Sequence, residues 1–307
     1  MPLKTPAFWY KDAPAPLWLR PLSWLYGAGR WTHKSLAPTP YKSCTKVLCV
    51  GNLTAGGSGK TPAALALMSL IKEQNFAHNP IFLTRGYGAD EDKILQRHAP
   101  TIVSADRRKG AQNAEAQSAD LIIMDDGFQN PALYKDISLL VIDGAMGFGN
   151  GALLPAGPLR EPISEGLKRA DGIILIGDDE RGVTSHVSKT NPVFTADICA
   201  SKTLPDDQNY VAFAGLGYPE KFFTTLRGMI GDRLLETHSF PDHHPYSARD
   251  LADLRTRASA LGAALITTEK DAARLPEGCT DIQTLPIELV WRAKGDVTRF
   301  LKERLFS

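Results

Sequence analysis

The apolar run Val47-Leu48-Cys49-Val50 leads directly into Gly51-Asn52-Leu53-Thr54-Ala55-Gly56-Gly57-Ser58-Gly59-Lys60-Thr61-Pro62. This succession constrains the fold tightly, because it asks for a buried strand, a glycine-rich turn and a helix start with nothing between them. Glycines let backbone N–H groups turn inward around an anion, a lysine reaches the terminal phosphates, and a hydroxyl at the helix N-terminus can ligate magnesium. The spacing predicts a nucleoside-triphosphate site. Thr54, Ala55, Gly56, Gly57, Ser58, Gly59, Lys60 and Thr61 are its phosphate-binding residues, and residues 62–73 its helix. The strict pattern has glycine five residues before Gly59, where this chain has Thr54. Gly56 and Gly57 supply the lost flexibility.

Further apolar runs at residues 81–83, 101–104, 121–124, 139–142 and 173–176 read as buried strands, separated by helical stretches such as 62–73 and 107–117. Strand and helix in alternation predict an α/β fold of the P-loop kind, a doubly wound, mostly parallel sheet with phosphate chemistry at the carboxyl ends of its strands. The composition turns polar around residues 202–209, and another α/β set follows, with strands at 211–214 and 265–268 and a helix over 248–261. Three parts are therefore expected: an N-terminal amphipathic segment (1–35), a core domain (36–203) and a smaller C-terminal α/β domain (204–307), with a soft boundary near 200–208.

A chain of 307 residues, 43% of them hydrophobic, has enough apolar side chains for a sizeable core. A formal net charge of +1 argues against nucleic acid as a partner. Cys44, Cys49, Cys199 and Cys279 lack the paired spacing of a zinc site, which suits reduced thiols in the cytoplasm. No apolar run approaches the roughly 20 residues of a spanning helix, and the start lacks the order of a cleaved signal.

Four of the five tryptophans, Trp9, Trp18, Trp24 and Trp31, precede the first strand, interleaved with Phe8, Tyr10, Leu17, Leu19, Leu22, Leu25, Tyr26 and the basic Lys4, Lys11, Arg20, Arg30 and Lys34. Aromatic and leucine side chains with basic partners suit a segment lying in the headgroup layer of a bilayer. They equally suit an amphipathic helix docked on the protein's own core. Pro14, Pro16 and Pro21 restrict any helix to short pieces, of which residues 22–31 are the best.

The strand 121–124 runs into Asp125-Asp126-Gly127-Phe128-Gln129, placing acids where magnesium or its water is held opposite a phosphate loop. Pro241-Asp242-His243-His244 offers adjacent histidines that point apart, so a histidine positioning a carboxylate base is a better use of it than a metal pair. Residues 149–162 form a Gly/Pro-punctuated loop containing Arg160-Glu161, suited to binding substrate or to connecting elements.

Taken in order, the phosphate loop, Arg85-Gly86-Tyr87-Gly88, Asp125-Asp126-Gly127-Phe128-Gln129, Leu153 to Glu161, Phe213-Ala214-Gly215, Asp242-His243 and Thr268-Glu269-Lys270-Asp271 resemble the motifs of the tetraacyldisaccharide 4'-kinases of lipid A synthesis. The resemblance covers nearly the whole chain. It implies ATP and Mg2+ as cofactors, and phosphorylation of the 4'-hydroxyl of an acylated glucosamine disaccharide 1-phosphate. It also implies a place on the cytoplasmic face of a bacterial inner membrane, with the tryptophan-rich start in contact with the bilayer. By the same resemblance, Asp90 takes the hydroxyl proton with His243 as its partner, while the physics of phosphoryl transfer gives the other expected roles, with Lys60 stabilising the β and γ phosphates. Thr61 and Asp125 hold magnesium, Asp126 and Glu91 support it, and Arg160 stabilises the transferring phosphoryl group.

The family follows its Arg-Gly-Tyr-Gly with a segment of roughly twenty residues, a hairpin lid, before a Gly-Asp-Glu-Pro motif. Here Gly88 is followed at once by Ala89-Asp90-Glu91-Asp92, so the lid is expected to be missing. Apart from the resemblance, these acids read as a solvated turn. Two other classes fit parts of the sequence. One is a membrane-cycling P-loop ATPase, although those carry a lysine where Ala55 stands; the other is a non-catalytic homologue that binds nucleotide or lipid.

Overall fold

The computed structural model of the chain describes residues 6–10, 15–86, 89–187 and 191–306. Lys4, Lys11, Pro14, Tyr87 and Gly88, named above, lie outside the described residues. In chain order the elements are α1 (Arg20–Ser35), β1 (Lys46–Gly51), α2 (Lys60–Glu73), β2 (Pro80–Thr84), α3 (Ala89–His98), β3 (Thr101–Val103), α4 (Arg107–Ala116), β4 (Leu121–Asp125), β5 (Ile137–Asp143), α5 (Ile163–Arg169) and β6 (Gly172–Ile176). There follow β7 (Val193–Ala200), β8 (Asn209–Ala214), α6 (Pro219–Ile230), β9 (Leu234–Ser239), α7 (Ala248–Ala260), β10 (Ala263–Thr268), α8 (Glu269–Ala272), β11 (Ile282–Leu285), β12 (Ile287–Trp291) and α9 (Lys294–Leu305).

The chain divides into two compact units. The larger takes Pro6–Gly86, Leu95–Ile198 and Leu289–Ser307; the smaller takes Cys199–Glu288 together with residues 89–94. The expected three parts differ from this division: the described residues of the N-terminal segment fall within the larger unit, residues 199–203 fall in the smaller one, and two further stretches change sides. Residues 289–307, read with the C-terminal set, belong to the larger unit because Leu289, Val297, Leu301 and Leu305 enter its core. Residues 89–94, read as part of the core domain, belong to the smaller unit.

An eight-stranded sheet has the order β12-β7-β6-β5-β1-β4-β2-β3, and every neighbouring pair from β7 to β3 is parallel. Its central strands are apolar throughout because both faces are covered. Side chains alternate between faces. Leu48 and Val50 of β1 enter a core capped by Leu67, Met68 and Ile71 of α2 and by α9, while Val47 and Cys49 enter another with Ala111 and Ala114 of α4 and Phe128. This is the doubly wound sheet that the alternating pattern predicts.

In the smaller unit β11-β10-β8-β9 form an all-parallel sheet. Phe222, Phe223 and Leu226 of α6 cover one face, and Leu251, Leu254 and Ala258 of α7 cover the other. A capping box between Ser247 and Asp250 satisfies the first N–H groups of α7.

Helix α1 is longer than the expected 22–31 and has Pro21 in its first turn, where a missing N–H costs nothing. Ser23, Tyr26 and Arg30 share one face. Ser23 Oγ donates to the Leu153 carbonyl (2.9 Å), Tyr26 OH to the Arg160 carbonyl (3.1 Å), and Arg30 pairs with Glu165 (2.9 Å). Trp18, Leu22, Leu25, Trp24 (75% exposed) and Trp31 (65%) face outward. The helix thus docks largely through polar groups and leaves apolar ones uncovered, the reverse of an ordinary surface helix. Among the described residues no helix is long and apolar enough to cross a membrane.

Leu301→Ala tests whether α9 is part of the larger unit's core. Leu301 is fully buried there, so the truncation is expected to cost about 2–5 kcal/mol, measured as a lowered midpoint in urea denaturation.

Candidate active site

The phosphate loop leaves the carboxyl end of β1 and is held from within. Asn52 is fully buried, and its Nδ2 donates to the Thr54 carbonyl (2.7 Å) and to Ser58 Oγ (2.8 Å), tying the two ends of the loop together. Thr54 makes a β-bridge with Leu159, flanked by Ala55 N donating to Pro158 O (2.7 Å) and Arg160 N donating to Leu53 O (2.7 Å). The left-handed backbone falls instead on Gly56 (φ 110°) and Gly59 (φ 83°), which explains why a threonine is tolerated where the strict pattern has glycine. A Cβ at Gly59 would also stand 2.4 Å from Ile176 Cδ1. Helix α2 starts at Lys60, so its first unbonded N–H groups lie within the loop.

The register of β1 against β4 places Val50 beside Asp125. Thr61 Oγ1 accordingly donates to Asp125 Oδ2 at 3.0 Å, both residues being buried. Asp126 turns the chain with φ 51°, and its carboxylate meets Arg160 Nη1 at 2.9 Å and Lys60 Nζ at 3.9 Å. Burial works against the charge on Asp126, but Lys60, Arg160 and Arg107 outweigh it and hold the carboxyl below its usual range. Gln129 Nε2 donates to Asn52 O (2.7 Å) and Glu161 Oε1 (3.1 Å). Glu161 is itself buried, paired with Arg169 and 3.8 Å from Arg30. The larger unit therefore brings together Lys60, Thr61, Asp125, Asp126 and Arg160.

The smaller unit holds the other expected residues. The acids after Gly88 form the first turn of α3 rather than a solvated turn, and Asp90 is only 1% exposed. Its Oδ2 lies 3.5 Å from His243 Nδ1 and 3.2 Å from Arg274 Nε. Burial alone would raise the Asp90 carboxyl, but the His243 hydrogen bond and the Arg274 and Lys270 charges prevail and hold it at about 2. The same hydrogen bond raises His243 above the ordinary histidine value. Glu91, expected near the metal, is paired with Lys270. His244 turns to Asp250 (3.1 Å), so the adjacent histidines diverge as their spacing suggested. Among the described residues no cluster of three His, Cys, Asp or Glu side chains is arranged for a metal.

Sequence reasoning missed two contributors. Tyr10, counted among the N-terminal aromatics, donates its OH to the Ala55 carbonyl of the phosphate loop (2.9 Å). Arg274 lies three residues beyond Asp271 and carries no signal apart from that helical spacing.

A loop shaped to wrap a triphosphate, with a hydroxyl and a carboxylate beside it for the accompanying cation, is the equipment of a P-loop phosphotransferase. Comparison with known proteins narrows the class. The family model described as tetraacyldisaccharide-1-P 4'-kinase (LpxK) matches residues 15–97 and 89–305, and the chain belongs to that family. The tetraacyldisaccharide 4'-kinase of Gluconacetobacter diazotrophicus is 43% identical over 309 aligned residues, covering 88% of this chain and 93% of that protein. The one from Parvibaculum lavamentivorans is 45% identical over 303, covering 89% and 87%. A crystal structure of LpxK from Aquifex aeolicus in complex with ATP matches with a TM-score of 0.72 and 25% identity, covering 94% of this chain and 98% of that one. The alignment to the Gluconacetobacter enzyme is longer than the whole of this chain, so that relative carries residues with no counterpart here.

Lys60 is expected to stabilise charge that grows in the transition state. Lys60→Ala should lower kcat on the order of a hundredfold, as the loss of one preorganised donor does. Steady-state ATP turnover checks this, and near-normal turnover would refute the phosphate-loop assignment.

Proposed function

We propose that this chain transfers the γ-phosphoryl group of ATP to the 4'-hydroxyl of tetraacyldisaccharide 1-phosphate in lipid A biosynthesis, giving the 1,4'-bisphosphate and ADP. The observation that carries the reading is the buried Thr61–Asp125 pair at the start of α2, in a chain that its family model matches almost throughout.

Each group then has a physical task. Lys60 and the loop N–H groups stabilise charge on the β and γ phosphates. Thr61 Oγ1 and Asp125 Oδ2 are hard oxygen donors beside a helix N-terminus, which fits Mg2+. They would hold the ion, with Asp126 on one of its waters. An ion held there would supply neutralisation of the charge on the phosphates. Arg160, presented by the loop that Leu53 and Tyr26 secure, stabilises the transferring phosphoryl group. Asp90 accepts the hydroxyl proton, with His243 as its partner. A carboxyl held near 2 is a weak base, yet a loose phosphoryl transition state keeps the nucleophile's proton until late, so a charged acceptor suffices.

The uncovered indoles and leucines of α1, with Arg20 and Lys34 on the same helix, support a peripheral seat on the cytoplasmic face of the inner membrane, where an acylated disaccharide resides. Incubation with ATP and tetraacyldisaccharide 1-phosphate, followed by mass spectrometry of the lipid, is expected to yield the bisphosphate. ATP hydrolysis without lipid product would instead favour the membrane-cycling ATPase, and nucleotide binding without turnover the non-catalytic homologue.

The seat on the membrane has its own test. Trp24→Ser combined with Trp31→Ser removes two exposed side chains and should leave the fold intact. Partition onto anionic phospholipid vesicles is expected to fall about tenfold or more, and unchanged co-sedimentation would rule out α1 as the contact.

A further inference from the structure

We infer that Arg274 is a positioning residue that fixes the orientation of the Asp90 carboxylate, acting from a rigid frame made by Gly215, Asp271 and Tyr246. The inference rests on the reading of Asp90 as the proton acceptor.

The frame begins with Asp271, which is fully buried. Its Oδ1 accepts from Tyr246 OH (2.6 Å) and Gly215 N (2.9 Å), and its Oδ2 accepts from Thr268 Oγ1 (2.6 Å). A buried carboxylate with this many donors has no freedom to turn. Tyr246 is fixed in turn, its ring packed against Phe213, Phe240 and His244 with centroids 5.2 Å away in each case. Gly215 admits no side chain without displacement: a Cβ there would stand 3.0 Å from Pro241 O, 3.1 Å from Tyr246 OH and 3.2 Å from Asp271 Oδ1.

Arg274 is mounted on this frame. Its Nη1 and Nη2 both donate to the Gly215 carbonyl at 3.1 Å, Nη2 lies 3.3 Å from Asp271 Oδ1, and Nε donates to Lys270 O at 3.1 Å. With the plane of the guanidinium set by these contacts, Nε also lies 3.2 Å from Asp90 Oδ2. The Gly215 carbonyl accepts from His243 N as well (3.2 Å), in a backbone turned to φ 55°. The two groups that flank Asp90 Oδ2 therefore hang from a single peptide oxygen. Both contacts fall on the same carboxylate oxygen, Oδ2. The other charges nearby are Lys270, engaged by Glu91, and Asp242, 4.0 Å from the far side of the His243 ring. A lysine in place of Arg274 would keep the charge but could not span Gly215 O, Asp271 and Asp90 at once.

The test compares Arg274→Gln, Arg274→Lys, Asp90→Ala and the Asp90→Ala/Arg274→Gln double variant of the full chain, with ATP and tetraacyldisaccharide 1-phosphate as substrates. A misoriented base should cost on the order of 10- to 100-fold in kcat in Arg274→Gln, with KM for ATP nearly unchanged. Arg274→Lys should fall between that variant and the wild type. In the Asp90→Ala background the second substitution should cost almost nothing more, because Arg274 then has no carboxylate to orient. Losses that multiply in the double variant, or a rise in KM for ATP that matches the loss in kcat, would overturn the inference. If Arg274→Gln does not fold, as judged by circular dichroism, the comparison passes to Arg274→Lys, where a wild-type kcat overturns it and a reduced kcat at constant KM supports it. Wild-type activity in Asp90→Ala would sink the underlying reading of Asp90 as well, whereas an inactive Asp90→Ala with multiplicative Arg274 losses sinks the inference alone.

Discussion

Val50 and Asp125 lie side by side where the parallel strands β1 and β4 end, and much of the nucleotide site follows from that register. A shift of one residue would exchange the two faces of β4, burying Asp125 among the side chains that now surround Met124. With the register as it is, Asp125 meets Thr61 at the start of α2. Asp126 can then turn towards Lys60 and Arg160, its N–H donating to the Val50 carbonyl (3.0 Å). The tight approach between the strand ends also demands glycine at position 51, since a Cβ there would stand 2.4 Å from Phe128 Cβ. Phosphate loop and acidic turn are thus set by one pairing, and the loop bearing Arg160 is tied to them through Leu53, Thr54 and Ala55.

The charges around Asp126 show why this unit tolerates so many ionisable groups together. Lys60 and Arg160 face a single carboxylate, and burial strengthens their attraction to it while penalising each isolated ion. In such a cluster a lone substitution strands a charge. On the proposed reading, a triphosphate arriving with its cation would exchange partners, drawing the basic groups off Asp126 and onto phosphate oxygens.

Much of the fold was legible in the sequence. Strands β1, β2, β4, β5 and β6 stand out because burial on both faces makes them continuously apolar, and the phosphate loop carries its own spacing. What stayed hidden has physical reasons. β9 alternates between half-buried and exposed residues and includes Glu236, Thr237 and His238, so it lacks an apolar run. The acids of α3 look like a solvated turn because their burial comes from residues far along the chain, among them His243 and Arg274. The N-terminal aromatics could be counted but not sorted: nothing local distinguishes Tyr10 and Tyr26, which spend their hydroxyls on backbone carbonyls, from Trp24 and Trp31, which face outward. The partners of Asp271 were likewise invisible, because Tyr246 and Gly215 are distant in sequence.

The return of Leu289–Ser307 to the larger unit bears on the order in which the protein can assemble during synthesis. The ribosome delivers β8 to β11 before β12 and α9, so the sheet of the smaller unit has all its strands while the larger unit still lacks an edge strand and the helix that carries Val297, Leu301 and Leu305. The unit begun first is therefore completed last. Until α9 emerges, part of the apolar face around Ile174, Ile176 and Phe194 lacks its cover, and the nascent chain presents a surface on which holding chaperones can act.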